Sequence, residues 1–154
     1  IALALKESFS HWLITASDLS EAALQVAKKN FAAYNLPIST LQGDALKPFI
    51  ESEMALDIIV SNPPYISNPQ DAQASVRDYE PASALWMDKH DSVYEKIFRD
   101  VHLVKKGSLF MAFEISPELD QWLEGLMKKY LTDYEYEFIM DLNQMKRFLF
   151  VYLR

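Results

Sequence analysis

The sequence has 154 residues, 50% of them hydrophobic and 24% charged, which is enough chain for one domain with its own core. Aromatic residues make up 13% of it, and so apolar a composition excludes a chain that stays disordered. No run of about 18 apolar residues occurs, so no membrane span is predicted. The formal net charge of −7 argues against broad, non-specific nucleic-acid binding, which needs clustered lysine and arginine.

The cysteine and histidine content bears on metal binding. The chain has no cysteine, which excludes disulfide frameworks and thiolate zinc sites. The three histidines (His11, His90 and His102) lack paired ligand spacing, so we predict no metal site.

The opening segment, 1–5, does not resemble a signal peptide. Because no initiator methionine is present, we expect the natural N-terminus to lie upstream.

Apolar residues recur at alternating strand and helix spacings along the chain. The predicted elements are, in chain order, a helix end over 1–9, a strand over 12–17, an amphipathic helix over 20–34, strands over 38–42 and 56–61, a long loop over 66–88, a helix over 92–104, a strand over 108–115, a helix begun by Ser116 and Pro117, and strands over 134–140 and 148–153. This alternation predicts an α/β fold with a mostly parallel sheet and helices on both faces. The short link over 141–147 predicts a C-terminal antiparallel hairpin.

Three polar segments directly follow predicted strands. They are Asp18, the run Gly43-Asp44-Ala45, and the run Asn62-Pro63-Pro64-Tyr65. In open α/β sheets, ligands bind outside the carboxyl ends of the strands. These segments are therefore the predicted binding edge.

The run Asn62-Pro63-Pro64-Tyr65 has the most specific chemistry. The asparagine offers a carbonyl acceptor, and the prolines fix the loop while their own carbonyls remain as acceptors. The tyrosine supplies a flat face for stacking a planar group. Together they suit a planar –NH2 group, with two acceptors for its two hydrogens. The alternative interpretation is a proline-rich turn that only ends a strand.

Six short motifs occur along the chain: S-D-L-S at 17–20, Q-G-D-A at 42–45, V-S-N-P-P-Y-I at 60–66, D-Y-E-P at 78–81, F-E-I at 113–115 and D-L-N-Q-M-K-R at 141–147. With these motifs, the chain resembles the HemK/PrmC family of protein-glutamine methyltransferases, which act on peptide chain release factors. The resemblance covers nearly the whole chain, and the motifs come in the family's order. The N-P-P-Y run is shared with adenine and guanine methyltransferases, whereas D-Y-E-P favours HemK.

The resemblance implies a Rossmann-like class I methyltransferase fold that binds S-adenosyl-L-methionine. It implies methyl transfer to the side-chain amide nitrogen of a glutamine in a release factor, in the cytoplasm, without a membrane or a metal and with no direct nucleic-acid binding. Asn62 and the carbonyl of Pro63 would accept the two amide hydrogens. Pro64 would stiffen the loop, and Tyr65 would pack on the amide plane. Asn62 would also line the cofactor site.

Two carboxylates are the other candidate cofactor ligands. From residue types alone, Asp18 suits either the two ribose hydroxyls or a capping box with Glu21. The resemblance favours the ribose. It places Asp44 at the adenine amino group with the backbone of Ala45 alongside, whereas a Gly-Asp turn is the structural alternative.

For two glutamates, the sequence allows either a structural or a functional role. Glu80, in the predicted loop, is either a solvated charge or part of the substrate entrance. Glu114 lies within an apolar strand and needs a partner if it is buried. Arg147 or a lysine is the predicted partner.

The sequence departs from the family at its start. The glycine-rich cofactor loop, the strand leading into it and the N-terminal helical domain are missing, and no glycine precedes Gly43. We therefore expect residues 1–154 to be an N-terminally incomplete catalytic domain. Two other functions remain open: amino-methylation of adenine or guanine in RNA or DNA, and a methyltransferase-like module that no longer binds cofactor.

Overall fold

The computed structural model describes residues 1–65 and 91–154. Its regular elements are α1 (Ala2–Ser8), β1 (Thr15–Asp18), α2 (Glu21–Ala33), β2 (Ser39–Gln42), α3 (Lys47–Glu51), β3 (Ile58–Ser61), α4 (Val93–Asp100), β4 (Leu109–Glu114), α5 (Asp120–Tyr130), β5 (Tyr134–Met140) and β6 (Lys146–Leu153). The described part divides into two compact units, 1–54 and 55–154. Each is described by itself below.

The first unit is built on a parallel strand pair. β1 and β2 pair with Thr15 opposite Ser39 and Asp18 opposite Gln42, as the alternating pattern predicts. The connecting helix α2 begins after Ser20, whose side chain accepts a hydrogen bond from the amide of Ala23 at 3.2 Å. A serine hydroxyl in this position satisfies one of the free amides of the first helical turn. Ser20, not Asp18, is therefore the residue that caps α2.

The second unit contains a four-stranded sheet in the order β3-β4-β6-β5. β3 and β4 are parallel, and β6 is antiparallel to both β4 and β5. Three strands thus run in one direction and β6 runs against them. The predicted C-terminal hairpin is confirmed, and its second strand lies between β4 and β5. This arrangement confirms the predicted α/β fold with parallel pairing and a terminal antiparallel hairpin.

One face of this sheet carries the core of the second unit. Phe113 of β4 meets Tyr94 and Phe98 of α4, with ring centroids 5.7 and 5.5 Å apart. The strand residues buried on the same face are Ile59, Leu109, Met111, Leu149, Val151 and Leu153, and α5 contributes the buried side chains of Leu123 and Met127 to this unit. The opposite face is less covered: Ile58 and Val60 are 37% and 38% exposed, although the apolar run over 56–61 predicts a strand covered on both faces.

Other differences from prediction are local. The short helix α3 is not predicted; it has Pro48 in its first turn, a position where proline is favoured. The predicted helix over 92–104 is an α-helix that ends in a 3₁₀ turn at Val101–Leu103. Ser116 precedes a 3₁₀ turn, and its side chain makes no capping hydrogen bond. The predicted loop over 66–88, with the D-Y-E-P run and Glu80, lies outside the described residues, as does His90.

Among the described residues, no helix combines the length and the apolar character needed to cross a bilayer.

Candidate active site

The carboxyl ends of β1 and β2 are tied together in the first unit. The amide of Gly43 donates to the carbonyl oxygen of Asp18 at 3.1 Å. The side-chain amide of Gln42 donates to the carbonyl oxygen of Leu19 at 3.2 Å. These two bonds hold the turn after β1 beside the turn after β2. Asp18 and the Gly43-Asp44 run therefore share one edge, as predicted.

Asp18 orders the turn that leads into α2. Its Oδ1 accepts the backbone N–H of Ser20 at 2.8 Å, and its side chain is exposed. That bond spans two residues, which is an Asx turn rather than a helix cap. Because the bond uses one carboxylate oxygen and the group faces solvent, the carboxylate can still accept a hydroxyl donor.

The turn after β2 has tight backbone geometry. A Cβ built on Gly43 would lie 2.8 Å from Cδ of Pro48, so only glycine fits there without a shift. Ala45 has φ of 47°, in the left-handed region that is unfavourable for a residue with a Cβ. The carbonyl oxygen of Asp44 accepts the amide of Lys47 at 3.0 Å, which leads the chain into α3. Strain of this kind is concentrated at binding sites.

The N-P-P-Y run leaves the end of β3 in the second unit. β3 ends at Ser61, which pairs with Phe113 of β4. Asn62 is exposed and Pro63 is buried, while Pro64 and Tyr65 are half-buried. A buried proline has no N–H to satisfy, so it suits a loop that must enclose its neighbours. The exposed Asn62 amide is available to a ligand.

Tyr65 and Glu114 form the clearest side-chain contact of this loop. The Tyr65 hydroxyl lies 3.5 Å from Oε1 of Glu114, which ends β4. The Tyr94 hydroxyl donates to the backbone carbonyl oxygen of Glu114 at 2.6 Å. Burial is the largest influence that raises the pKa of Tyr94, and the nearby Tyr65 and Glu114 raise it further. Tyr94 therefore stays a neutral hydrogen-bond donor.

The predicted Arg147 partner of Glu114 is wrong. Nε of Arg147 lies 3.3 Å from Oδ2 of Asp141 instead. Oδ1 of Asp141 accepts the amides of Asn143 and Met145 at 2.8 and 3.0 Å. These bonds, led by the one from Met145, lower the pKa of the Asp141 carboxyl. The D-L-N-Q-M-K-R run thus closes the β5–β6 hairpin.

The structure groups the predicted site residues into two sets. Asp18, Asp44 and Ala45 lie together in the first unit, and the loop 62–65 lies in the second. Sequence reasoning missed Tyr94 and the Tyr65–Glu114 contact. A signal for Glu114 existed, because the sequence predicts it near the carboxyl end of a strand, where ligands bind in open α/β sheets.

The first set fits a nucleoside better than a phosphate group. Carboxylates accept hydrogen bonds from ribose hydroxyls and from an exocyclic amino group, and they repel phosphate oxygens. Phosphate sites present backbone N–H groups or cations instead. No cluster of three or more histidine, aspartate or glutamate side chains suited to a metal ion occurs within residues 1–65 and 91–154.

Comparison with known proteins gives the family. The model of the methyltransferase small domain family matches residues 1–79. A release factor glutamine methyltransferase of Bacillus subtilis is 39% identical over 148 residues, which is 93% of this chain and 50% of the relative. A release factor glutamine methyltransferase of Staphylococcus aureus is 33% identical over 147 residues, covering 93% of this chain and 52% of the relative. The chain thus spans about half the length of these relatives.

A solved structure supports the fold. The hMettl16 catalytic domain, crystallised with an RNA hairpin, matches with a TM-score of 0.65 at 15% identity, over 97% of this chain and 58% of that one. At such low identity the likeness concerns the fold alone. With a family match over more than half of its residues, the chain belongs to the methyltransferase small domain family.

Proposed function

We propose that this protein transfers a methyl group from S-adenosyl-L-methionine to the side-chain amide nitrogen of a glutamine in a peptide chain release factor. The observation that carries the proposal is the N-P-P-Y loop at the carboxyl end of β3, with Asn62 exposed and Tyr65 beside Glu114. Similarity to release factor glutamine methyltransferases over 93% of the chain supports the choice of substrate.

The first unit supplies the ligands proposed for the cofactor. Asp18 would accept the ribose hydroxyls, Asp44 would accept the adenine amino group, and the Ala45 backbone would lie along the base. S-adenosyl-L-methionine supplies, when bound, a methyl group made electrophilic by a sulfonium. In the second unit, we propose that Asn62 also contacts the cofactor. Both units would then serve one catalytic domain, 1–154.

The second unit supplies the proposed amide site. An amide nitrogen is a poor nucleophile because its lone pair is delocalised into the carbonyl group. Asn62 and the Pro63 carbonyl would accept its two hydrogens, which orients the nitrogen and stabilises the positive charge that develops on it. Pro64 would keep the loop rigid, and the Tyr65 ring would pack on the amide plane. No strong base is needed, since the nitrogen becomes acidic only as the new bond forms.

The substrate and place of action follow from this chemistry. A planar amide at the tip of a glutamine side chain suits two acceptors and one aromatic face. Release factors act on the ribosome, so we propose a cytoplasmic protein. The net charge of −7 favours a protein substrate over a nucleic acid.

A methyl-transfer assay with labelled cofactor tests the proposal. The full-length protein is incubated with a release factor, with the same factor carrying alanine at the modified glutamine, and with tRNA, rRNA and DNA. We expect label only in the intact release factor. Label in a nucleic acid would instead favour amino-methylation of a base, with the base stacked on Tyr65.

The variant Asn62→Ala tests the role of the loop. We expect its kcat to fall by about 100-fold or more, since a lost transition-state hydrogen bond costs ~3 kcal/mol, while its affinity for S-adenosylhomocysteine changes little. Asn143→Ala, at an exposed asparagine of the hairpin turn, is the matched control. Normal turnover by Asn62→Ala would overturn the mechanism. Failure of the wild-type protein to bind S-adenosylhomocysteine in calorimetry would favour a module without cofactor.

A further inference from the structure

We propose that Glu114 is a positioning residue for the Tyr65 ring, and through it for the substrate amide. The inference rests on the proposed function and extends it to a residue outside the N-P-P-Y run. It begins from the 3.5 Å approach of the Tyr65 hydroxyl to the Glu114 carboxylate.

Strand register explains why these two residues meet. β3 and β4 pair in parallel with Ser61 opposite Phe113, so both strands end at the same edge. Tyr65 follows β3 by four residues, and Glu114 is the last residue of β4. The Glu114 carboxylate is thereby placed beside the loop that would hold the amide.

Hydrogen bonds with the core and with β6 hold the backbone at Glu114 in place. The Tyr94 hydroxyl donates to its carbonyl oxygen at 2.6 Å. Tyr94 is fully buried, and its ring lies 6.3 Å from that of Trp122 in an edge-to-face arrangement. The amide of the next residue, Ile115, donates to the carbonyl oxygen of Arg147 at 2.8 Å. The carboxylate therefore extends from a backbone with little freedom to move.

Among residues 1–65 and 91–154, no ion pair accounts for Glu114. The arginine nearest in register, Arg147, is engaged with Asp141 at 3.3 Å. Within the described part of the chain, the Glu114 side chain accepts a hydrogen bond from Tyr65. At 3.5 Å the contact is longer than an ordinary hydrogen bond between two oxygens, which is about 2.7 Å, and active-site hydrogen bonds are often long before substrate binds.

The functional consequence is preorganisation. A tyrosine side chain in a loop has several rotamers, and packing on an amide plane requires one of them. An acceptor fixed at the ring's hydroxyl selects that rotamer before the substrate arrives. Ordering of this kind lowers the activation barrier more than it changes ground-state binding.

Two variants of Glu114 test this role. Glu114→Ala removes the acceptor, and we expect kcat to fall by about tenfold with the Kd for S-adenosylhomocysteine unchanged within about twofold. Glu114→Gln keeps an acceptor oxygen, and we expect it to restore kcat to within about threefold of wild type. Glu124→Ala is the matched control, because it removes a tyrosine–glutamate hydrogen bond, from Tyr136 at 3.0 Å, elsewhere in the same unit.

A double-mutant cycle tests whether Glu114 acts through Tyr65. We expect Tyr65→Phe and Glu114→Ala to be strongly non-additive in kcat, with the double variant close to the worse single variant. Additive effects would overturn the proposal. So would a Glu114→Ala variant that matches Glu124→Ala, or one whose loss lies wholly in cofactor affinity.

A measurement without turnover separates this inference from the proposed function. Protein labelled with 3-fluorotyrosine is studied by ¹⁹F NMR, and the Tyr65 signal is assigned with Tyr65→Phe. We expect that signal to move towards the free amino acid's position in Glu114→Ala and to stay in Glu124→Ala. An unmoved signal overturns the positioning role even if methyl transfer occurs. A moved signal without methyl transfer to a release factor keeps the contact and overturns the proposed function.

Discussion

The Asp18 carboxylate orders the turn into α2 and is also the group that we propose for the ribose hydroxyls. Its Oδ1 accepts the Ser20 amide at 2.8 Å, so part of the group's hydrogen-bonding capacity serves the turn into α2. The side chain is nevertheless exposed. A carboxylate has about four lone-pair sites, so one backbone amide leaves capacity for ribose hydroxyls.

Substitutions at Asp18 separate these two roles. Asp18→Asn keeps an oxygen for the Ser20 amide but loses the charge and one acceptor. We expect it to weaken S-adenosylhomocysteine binding by about tenfold or more, since a hydrogen bond to a charged group contributes ~1.5–3 kcal/mol, and to leave thermal unfolding nearly unchanged. Asp18→Ala should weaken binding at least as much and also lower the melting temperature.

Calorimetry and thermal unfolding give both readouts for the two Asp18 variants. Glu7→Gln, at an exposed carboxylate of α1, is the control and should bind like wild type. Equal affinity in Asp18→Asn and wild type would show that Asp18 serves the turn alone.

Helix starts differ in the second unit. Ser92 is buried and its hydroxyl accepts the amide of Glu95 at 3.2 Å, at the start of α4. Ser116 is also buried, but its hydroxyl makes no such bond with the 3₁₀ turn that follows. The same residue type therefore stabilises one start and not the other.

This contrast predicts unequal effects of one substitution. Ser92→Ala leaves the Glu95 amide without its acceptor, and we expect it to lower the free energy of unfolding by about 1 kcal/mol. Ser116→Ala should lower it by clearly less, since no capping bond is lost. Urea unfolding of both variants measures the difference. Equal losses would contradict the capping assignment.

Two glycines with different surroundings allow a test of local packing. A Cβ at Gly43 would lie 2.8 Å from the Pro48 ring, whereas nothing lies within 4 Å of a Cβ at Gly125, inside α5. We expect Gly43→Ala to destabilise the protein. Gly125→Ala should stabilise it by about 0.5–1 kcal/mol, because alanine favours a helix interior. Urea midpoints of the two variants should shift in opposite directions.

Sequence reasoning succeeded where the pattern is local. Parallel pairing follows from the alternation of strands and helices, the terminal hairpin follows from the short link over 141–147, and both are confirmed. It failed where partners come from distant parts of the chain. Arg147 and Glu114 are opposite in charge, but Arg147 forms its ion pair with Asp141. Asp141 is held in place for that ion pair by the backbone amides of the hairpin turn. The position of β6 between β4 and β5 likewise depends on tertiary packing that no local signal contains.

At the scale of the whole molecule, the chain is acidic, and specific contacts stabilise the charged form of several of its carboxylates. Hydrogen bonding from Tyr130, at 2.6 Å, is the main influence that lowers the pKa of Glu95. The Lys146 ammonium does the same for Asp120. Together with Asp141, these carboxylates favour the charged form in the folded state. Protonation on acidification should therefore weaken the second unit.

The direction of the pH effect follows from these pKa values. A carboxyl whose pKa is lower in the folded state than in the unfolded state binds its proton first in the unfolded chain, so acid favours unfolding. The stabilisation is fully present above the ordinary carboxyl pKa of about 4 and is lost as pH falls below it. We expect the urea midpoint to be level near pH 7 and to decline below about pH 4.

Asp120→Asn tests one contribution to that decline. The variant keeps an acceptor for the Gln121 amide and loses the charge that Lys146 pairs with. It should be less stable than wild type at pH 7, and the gap should narrow as pH falls through the lowered pKa, because wild-type Asp120 is then protonated as well. Glu118→Gln, at an exposed glutamate two residues before Asp120, should show the same dependence of the urea midpoint on pH as wild type. A gap that stays constant from pH 7 to pH 3 would mean that the contact with Lys146 adds nothing to acid sensitivity.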